Sequence, residues 1–367
     1  MNTFLSLLTT YCVTLCYLAI GLFFGFAAQV TAQPAVQPSA QSLPSVALNV
    51  VGGLSRRLTY VDVERPFWTQ TLAERSNTSV TAQIKGFDEM GLKGQELLRL
   101  MSEGVITFGV LPLSYYAPTI PLLETVDIAG LATDIKTARE SAAVLTPILS
   151  HYYETESQVK LLGIAPYGAQ IFFCQTEIRG VADLRGLTIR TITRSQAELV
   201  EALGAKSVSL PFADVFQALE KKAIHCAIAG AVTGFNAKWF DVSTHLYALP
   251  VGWNQEVHAV NLKAWEKLPA PVQVFIESNI QDLINNLWSF ADKLSLRGID
   301  CNIGSKECTA VPRGKMILVQ PTQADLALVR RIATQKVLTK WAERCSDICV
   351  AEYNQTMGKL FKLQVKK

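Results

Sequence analysis

Hydrophobic positions fall into three regimes along the chain. Residues 1–32 are almost wholly apolar and contain no Asp, Glu, Lys or Arg. Residues 33–45 are rich in Gln, Pro, Ser and Ala, a composition that suits a flexible linker. From Val46 onward, short apolar runs alternate with helical periodicities. Leu48 to Gly52 reads as a buried strand. Pro66 to Arg75 reads as a helix with Phe67, Trp68 and Leu72 on its apolar side. Gln95 to Glu103 is a second helix, stopped by Gly104, with a strand from Val105 to Leu111 after it. Thr137 to Tyr153 is a further helix, with Pro147 placed to kink it.

The pattern is clearest from Asp183 on. Leu187 to Thr191 is a strand, and Ser195-Gln196-Ala197-Glu198 has the form of a capping box opening a helix that ends at Gly204. Lys206 to Leu210 is a strand, Ala213 to Lys221 a helix, and Ile224 to Ile228 another strand. Strands alternating with helices imply an α/β fold with a mainly parallel sheet covered by helices. Pro271 to Arg297 then runs without a breaker for roughly 27 residues, about 40 Å of helix, long enough to span two lobes. A last long helix is expected from Thr322 to Ala342.

Composition narrows the function. The 367 residues suggest two domains. Hydrophobic residues make up 49% and charged residues 18%, which excludes a disordered or acidic-tail protein. The net charge of +3 is too small for a nucleic-acid binder. Only the N-terminus has the length of uncharged apolar sequence that membrane burial needs. Small residues at Val30-Thr31-Ala32 make residues 1–32 a secretory signal peptide. The missing basic residue before the core and the core's length leave an uncleaved anchor as the alternative.

Export makes the six remaining cysteines disulfide candidates: Cys174, Cys226, Cys301, Cys308, Cys345 and Cys349. Cys301 and Cys308 flank a short loop and are expected partners. Cys345 and Cys349 lie four apart, a separation that needs a distorted turn to bridge. Their spacing matches no strong zinc pattern, and no metal is expected. No G-x-S-x-G, H-E-x-x-H or P-loop motif is present, and His151, His225, His245 and His258 are dispersed, so no enzyme and no cofactor are expected.

The run from Asp183 to Pro269 carries a DLRG turn, a GLTIR strand, ALGA, PFADVFQALEKK, KWFDV and AWEKLP, and GFDEMGLKGQELLRLMSEGV precedes it. In this order and spacing the chain resembles the DctP-type solute-binding proteins of tripartite ATP-independent periplasmic (TRAP) transporters, over about residues 46–360. The resemblance implies a two-lobed periplasmic-binding-protein-like clamp with a hinge-spanning helix. Each lobe is a mixed, mainly parallel sheet flanked by helices. Lobe I is expected from 46–167 plus about 256–294, and lobe II from 168–255 plus about 295–367. The implied partners are a small organic acid and the integral membrane permease subunits, and the implied state is a periplasmic monomer. A binding protein serving an ABC importer or a signalling receptor is the alternative; an enzyme is the least favoured.

The resemblance also assigns a ligand anchor. An Arg at the end of the strand after the DLRG-like turn holds the ligand carboxylate in that family, and Arg190 has this position. A guanidinium offers two parallel N–H donors to two carboxylate oxygens and keeps its charge. The strand's carboxyl end is also where open α/β sheets bind ligands. Elsewhere the chain departs from the family pattern. Gln170 replaces a second Arg, Ala229 with Gly230 occupies the place of an Asn, His225 replaces an Asp, and Pro112 replaces an acid. A pocket with one charged anchor and otherwise apolar or aromatic walls follows, suited to a monocarboxylate. Tyr60 and Trp253 are the preferred walls, ahead of Phe67, Tyr115 and Phe235. Thr233, Gly234 and Asn254 lie in loops on the same side. Cys174 and Cys226 are expected to be bonded or packed together, with two separate buried thiols as the alternative.

Overall fold

The structure, a computed structural model, describes residues 43–367; the expected signal segment and most of the expected linker lie outside the described residues. Among the described residues, eleven strands form two sheets. They are β1 (Val46–Gly52), β2 (Val80–Gly86), β3 (Phe108–Pro112), β4 (Val159–Pro166), β5 (Gln170–Cys174), β6 (Thr188–Thr191), β7 (Lys206–Ser209), β8 (Cys226–Gly230), β9 (His245–Tyr247), β10 (Gln255–Asn261) and β11 (Ile317–Val319). The first sheet has the order β2-β1-β3-β10-β4 and the second β11-β9-β5-β8-β6-β7. In the first, β1 is parallel to β2 and β3, and β10 runs antiparallel between β3 and β4. In the second, β6 is parallel to β7 and β8, β9 is parallel to β11, and β5 is the antiparallel member between β8 and β9. The fold is therefore an α/β clamp of two mixed sheets with helices on their faces.

The chain crosses between the sheets three times: after β4, before β10 and along one long helix. The first two crossings lie side by side. The amides of Tyr167 and Gly168 donate to the Trp253 carbonyl, and that of Gln170 to the Gly252 carbonyl. The third is the helix Ala270–Ile303, 34 residues and about 51 Å long. It extends past the expected Arg297 because nothing breaks the helix before Gly304, which ends it with a left-handed φ of 79°. Its first half packs on β4, where Gln281 and Trp288 donate to the carbonyls of Leu162 and Ile164. Its second half packs on the helix Ala231–Asn236, where Asn302 donates to the Ala231 carbonyl. Gly298 permits this approach, since a Cβ there would collide with the backbone of Ala231 and Val232. Between the halves, Ser295 Oγ receives the amide of Ala169.

Several local expectations shift. The expected capping box at Ser195–Glu198 does not form. The cap of the helix Arg194–Ala202 is Thr193, which accepts the Gln196 amide, while Gln196 accepts the amide of Ile192. Ser195 and Glu198 are buried instead by tertiary partners. Glu124 accepts the Ser195 amide at 2.9 Å, and Arg344 bridges Glu124 and Glu198. The expected 66–75 helix begins earlier, with π-helical turns at Tyr60–Glu64 and Phe67–Thr71 before Leu72–Arg75. The expected helix Thr322–Ala342 is a relay of Gln323–Ile332, a π-turn Ala333–Val337 and Leu338–Arg344, capped by a Thr322–Asp325 box.

All three cysteine pairs are bonded. Cys174 and Cys226 sit directly opposite each other on β5 and β8. Cys301 leaves the long helix to meet Cys308 across its terminal loop. Cys345 and Cys349 are not on one helix. Cys345 is extended, at the end of Leu338–Arg344, and Cys349 lies in the first turn of Asp347–Gln355, so the break between helices supplies the distortion.

Candidate functional site at the facing sheet ends

The crossings define which sheet ends face each other. In the first sheet, β1 and β3 end, β4 ends and β10 begins at the edge from which the chain leaves for the second sheet. In the second sheet, β5 begins opposite the end of β8, beside the end of β6. The carboxyl ends of the parallel strands of both sheets thus point toward the crossings.

Arg190 stands on β6 in register with Ala227 of β8, which pairs with Phe173 of β5. In-register neighbours share a face, so Arg190, Ala227 and Phe173 form one row, and Ala229 follows on the same face. Arg190 is only 5% exposed. Its Nε donates to the Leu210 carbonyl at 3.1 Å and its Nη1 to the Ile228 carbonyl at 3.0 Å. Among the described residues it has no acidic partner. Burial alone lowers its pKa to about 10, so the guanidinium stays charged at neutral pH. The rest of its five N–H donors are left for another acceptor.

Gln170 lies opposite Gly230 in the β5–β8 pair and donates to the Gly168 carbonyl. A Cβ on Gly230 would sit 3.3 Å from Thr233 Oγ1 and 3.5 Å from Gln170 Nε2. The structure therefore brings Arg190, Gln170, Ala229, Gly230 and Thr233 to one sheet end. Asn254 and Trp253 lie in the second crossing, where Asp127 accepts both of their amides. Trp253 is 3% exposed, and its indole donates to the Ala132 carbonyl. Tyr60 does not face open space as a wall. It sits in a helical turn, with its ring against Gly52 and 2% exposed, and its hydroxyl is pushed up to about 12 by burial. Phe67 packs edge-on against Trp68 in the core, and Phe235 stacks on Phe240. Tyr115 covers Gly94, leaving no room there for a side chain. His225 ties two strands, accepting the Thr188 amide.

Two features of this region were missed from sequence. Phe212, 41% exposed, lies two residues after the carbonyl that holds Arg190 and packs tilted against Trp239. It sits in PFADVFQALEKK, where its helical surroundings drew attention away from the loop. The second feature is acidic. Pro112 lacks the expected acid, but β10 sets Glu256 directly opposite Pro112, and Glu64 of the Tyr60–Glu64 turn is buried nearby at Gly53. A groove of about 350 Å³ between the 58–75 helical segment and the long helix lies elsewhere and is lined partly by the Arg75–Asp282 ion pair.

Residues 59–296 match the model of bacterial extracellular solute-binding protein family 7. A solute-binding protein of Sulfitobacter sp. (strain NAS-14.1) is 24% identical over 268 residues, 69% of this chain and 78% of that protein. Among solved structures, a pyroglutamic acid-binding solute receptor of Bordetella pertussis superposes with a TM-score of 0.71 at 18% identity, over 86% of this chain and 99% of that one. The ectoine-binding protein of a Halomonas elongata TRAP transporter gives 0.71 at 17%, over 87% and 100%. A Desulfovibrio salexigens TRAP solute-binding protein with bound orotic acid gives 0.69 at 17%, over 87% and 97%. Among the described residues no helix is long and apolar enough to cross a membrane. The chain belongs to bacterial extracellular solute-binding protein family 7, the DctP-type receptors of TRAP transporters, which bind solutes for a membrane permease and are not enzymes.

Proposed function

We propose that the protein captures a small organic monocarboxylate between its two lobes, 46–167 with about 256–294 and 168–255 with about 295–367, and presents it to the permease as a periplasmic monomer released from, or anchored by, residues 1–32. The observation that carries this reading is Arg190: a buried, charged guanidinium at a sheet end whose only hydrogen-bond partners among the described residues are two carbonyls. A buried cation is costly without an anion, and a carboxylate fits its two parallel donors. Gln170 and Gly230, three residues farther along the strands from the Arg190 row, and Thr233 beside Gly230 offer neutral polar groups for the rest of the ligand, Ala229 a small wall, Phe212 an aromatic one, and Trp253 and Asn254 the hinge side. Tyr60 supports the wall from behind Gly52. The absence of a second Arg at Gln170 argues for a single carboxylate. The acids named for the similar receptors, pyroglutamic and orotic, support the ligand class.

A thermal-shift screen of the purified chain against monocarboxylates, keto acids, dicarboxylates and sugar acids tests this. A ligand at 100 times its Kd adds about 2.7 kcal/mol of stability. Stabilisation by monocarboxylates is expected; a response restricted to dicarboxylates would overturn the single-anchor pocket.

A further inference from the structure

Arg344 joins two acids that lie far apart in the sequence. Glu124 and Glu198 are 5% and 7% exposed. Arg344 Nη2 meets Glu124 Oε2 at 2.9 Å, and its Nη1 meets Glu198 Oε1. Arg194 reaches Glu198 from the surface at 3.7 Å, so Arg344 alone touches both acids. Glu198 lies on the helix Arg194–Ala202, which starts three residues after the anchor strand β6 ends. Glu124 comes from elsewhere. The chain leaves the first sheet at the end of β3 and returns to it through the helix Ile135–Ser157, which packs on β4. Between these points, residues 121–131 are bonded to the helices of the second sheet. The Trp341 indole donates to the Pro121 carbonyl at 2.9 Å, the Ser195 amide to Glu124, and Arg330 to the Leu131 carbonyl at 2.7 Å. Gly130, with a φ of 81°, allows the close fit: a Cβ there would lie 2.9 Å from Val329 Cγ1 on the helix Gln323–Ile332.

A guanidinium between two buried carboxylates resists separation, because parting the group leaves an unpaired charge out of water. The segment that Arg344 fastens also reaches the crossings. Its Asp127 accepts the amides of Trp253 and Asn254 at 2.9 and 2.7 Å. Arg344 thus ties together the helix behind the anchor strand, a segment that both precedes and follows elements of the first sheet, and one crossing. We infer that Arg344 is a positioning residue for ligand capture: it fastens residues 121–131 to the second lobe, so that the lobes pivot in residues 113–120 and 132–134 and at the crossings, and the fastened segment sets the resting angle of the clamp. This rests on the reading of a clamp that closes on its ligand and deepens it by naming the latch between the lobes.

The test reads amide exchange and lobe separation in the ligand-free protein. Residues 33–367 hold every described element and no cysteine outside the three disulfides. Val105→Cys, before β3, and Glu220→Cys, before β8, therefore take one spin label on each lobe at exposed positions. In the unaltered chain the Ser195 and Gly130 amides are expected to exchange as slowly as that of Phe173 in β5; exchange at the rate of exposed amides would overturn the latch. Glu124→Gln leaves Arg344 paired with Glu198 inside the second lobe, while Glu198→Gln leaves it paired with Glu124. Glu124→Gln is expected to speed exchange of both amides about 10-fold, the difference between a charge-assisted and a neutral bond, and to lengthen and broaden the label distance. Arg344→Met is expected to exceed it, and Glu198→Gln to do neither. Where Arg344→Met fails to fold, the two glutamine variants decide. Equal effects of those two, or faster exchange at an unchanged label distance, would make the bridge a local support and overturn its positioning role. Movement of the labels with an acid of the thermal-shift panel but not with Glu124→Gln would overturn the latch alone. A label distance that neither the acids nor the variants move would overturn the closing clamp with it.

Discussion

The two facing sheet ends solve the burial of charge in opposite ways. At the second sheet, Arg190 is buried alone but well bonded: two carbonyls orient it. At the first sheet, two acids are buried together and poorly bonded, with one backbone amide between them. A guanidinium pointing into carbonyls is held in one orientation and keeps its charge. A crowded carboxylate pair shifts its protons instead. The second lobe therefore carries a fixed charge, and the first an adjustable one.

The largest effect is expected at the fixed charge. Arg190→Ala should weaken binding of a responding acid by about 3–5 kcal/mol, roughly 10²–10³-fold or more, by calorimetry. Arg190→Lys should recover part of it, as a charge without the bidentate fork. Unchanged affinity in the alanine variant would erase the contrast between the two ends. Next comes the sheet behind the anchor. Cys174→Ala with Cys226→Ala should lower unfolding stability by about 2–5 kcal/mol in urea under oxidising conditions. A wild-type midpoint insensitive to reductant would mean that this bond does not hold β5 to β8.

The smallest effect sharpens the adjustable end. The raised pKa of Glu64 means the folded state holds its proton more tightly than the unfolded chain. Its contribution is therefore full below the ordinary 4.5 and is lost as pH rises through the raised folded value. His258 acts in the opposite sense. Its contribution is present above the ordinary 6.5 and is lost as pH falls through about 4. Stability measured from acid to alkaline pH should fall on both sides. Glu64→Gln should flatten the alkaline side and leave the acid side unchanged. An unaltered alkaline limb would show that the pair is relieved by another route.

The local pattern was readable in particular places. The strands around Leu187 and Ile224, the stop at Gly204 and the long helix after Pro271 follow from periodicity, caps and the absence of breakers. Strands β9 and β11 were not readable, because each has three residues and exists only through its neighbour. The capping box failed because Ser195 and Glu198 have tertiary partners in Glu124 and Arg344. Arg190 was legible because its motif is local. Glu64 and Glu256 were not: 192 positions separate them, and the sequence offered only an apparent loss at Pro112.

By itself, the sequence determined the alternation of strands and helices, the family and the strand that carries Arg190, the proposed anchor. Each is written in short runs of neighbouring residues, where periodicity and spacing act directly. Only the tertiary structure decided which strands face across the crossings, where Tyr60 and Trp253 are buried, and that two acids converge on Gly53. Those outcomes depend on pairing between distant segments, and on whether a buried charge finds a partner once water is excluded.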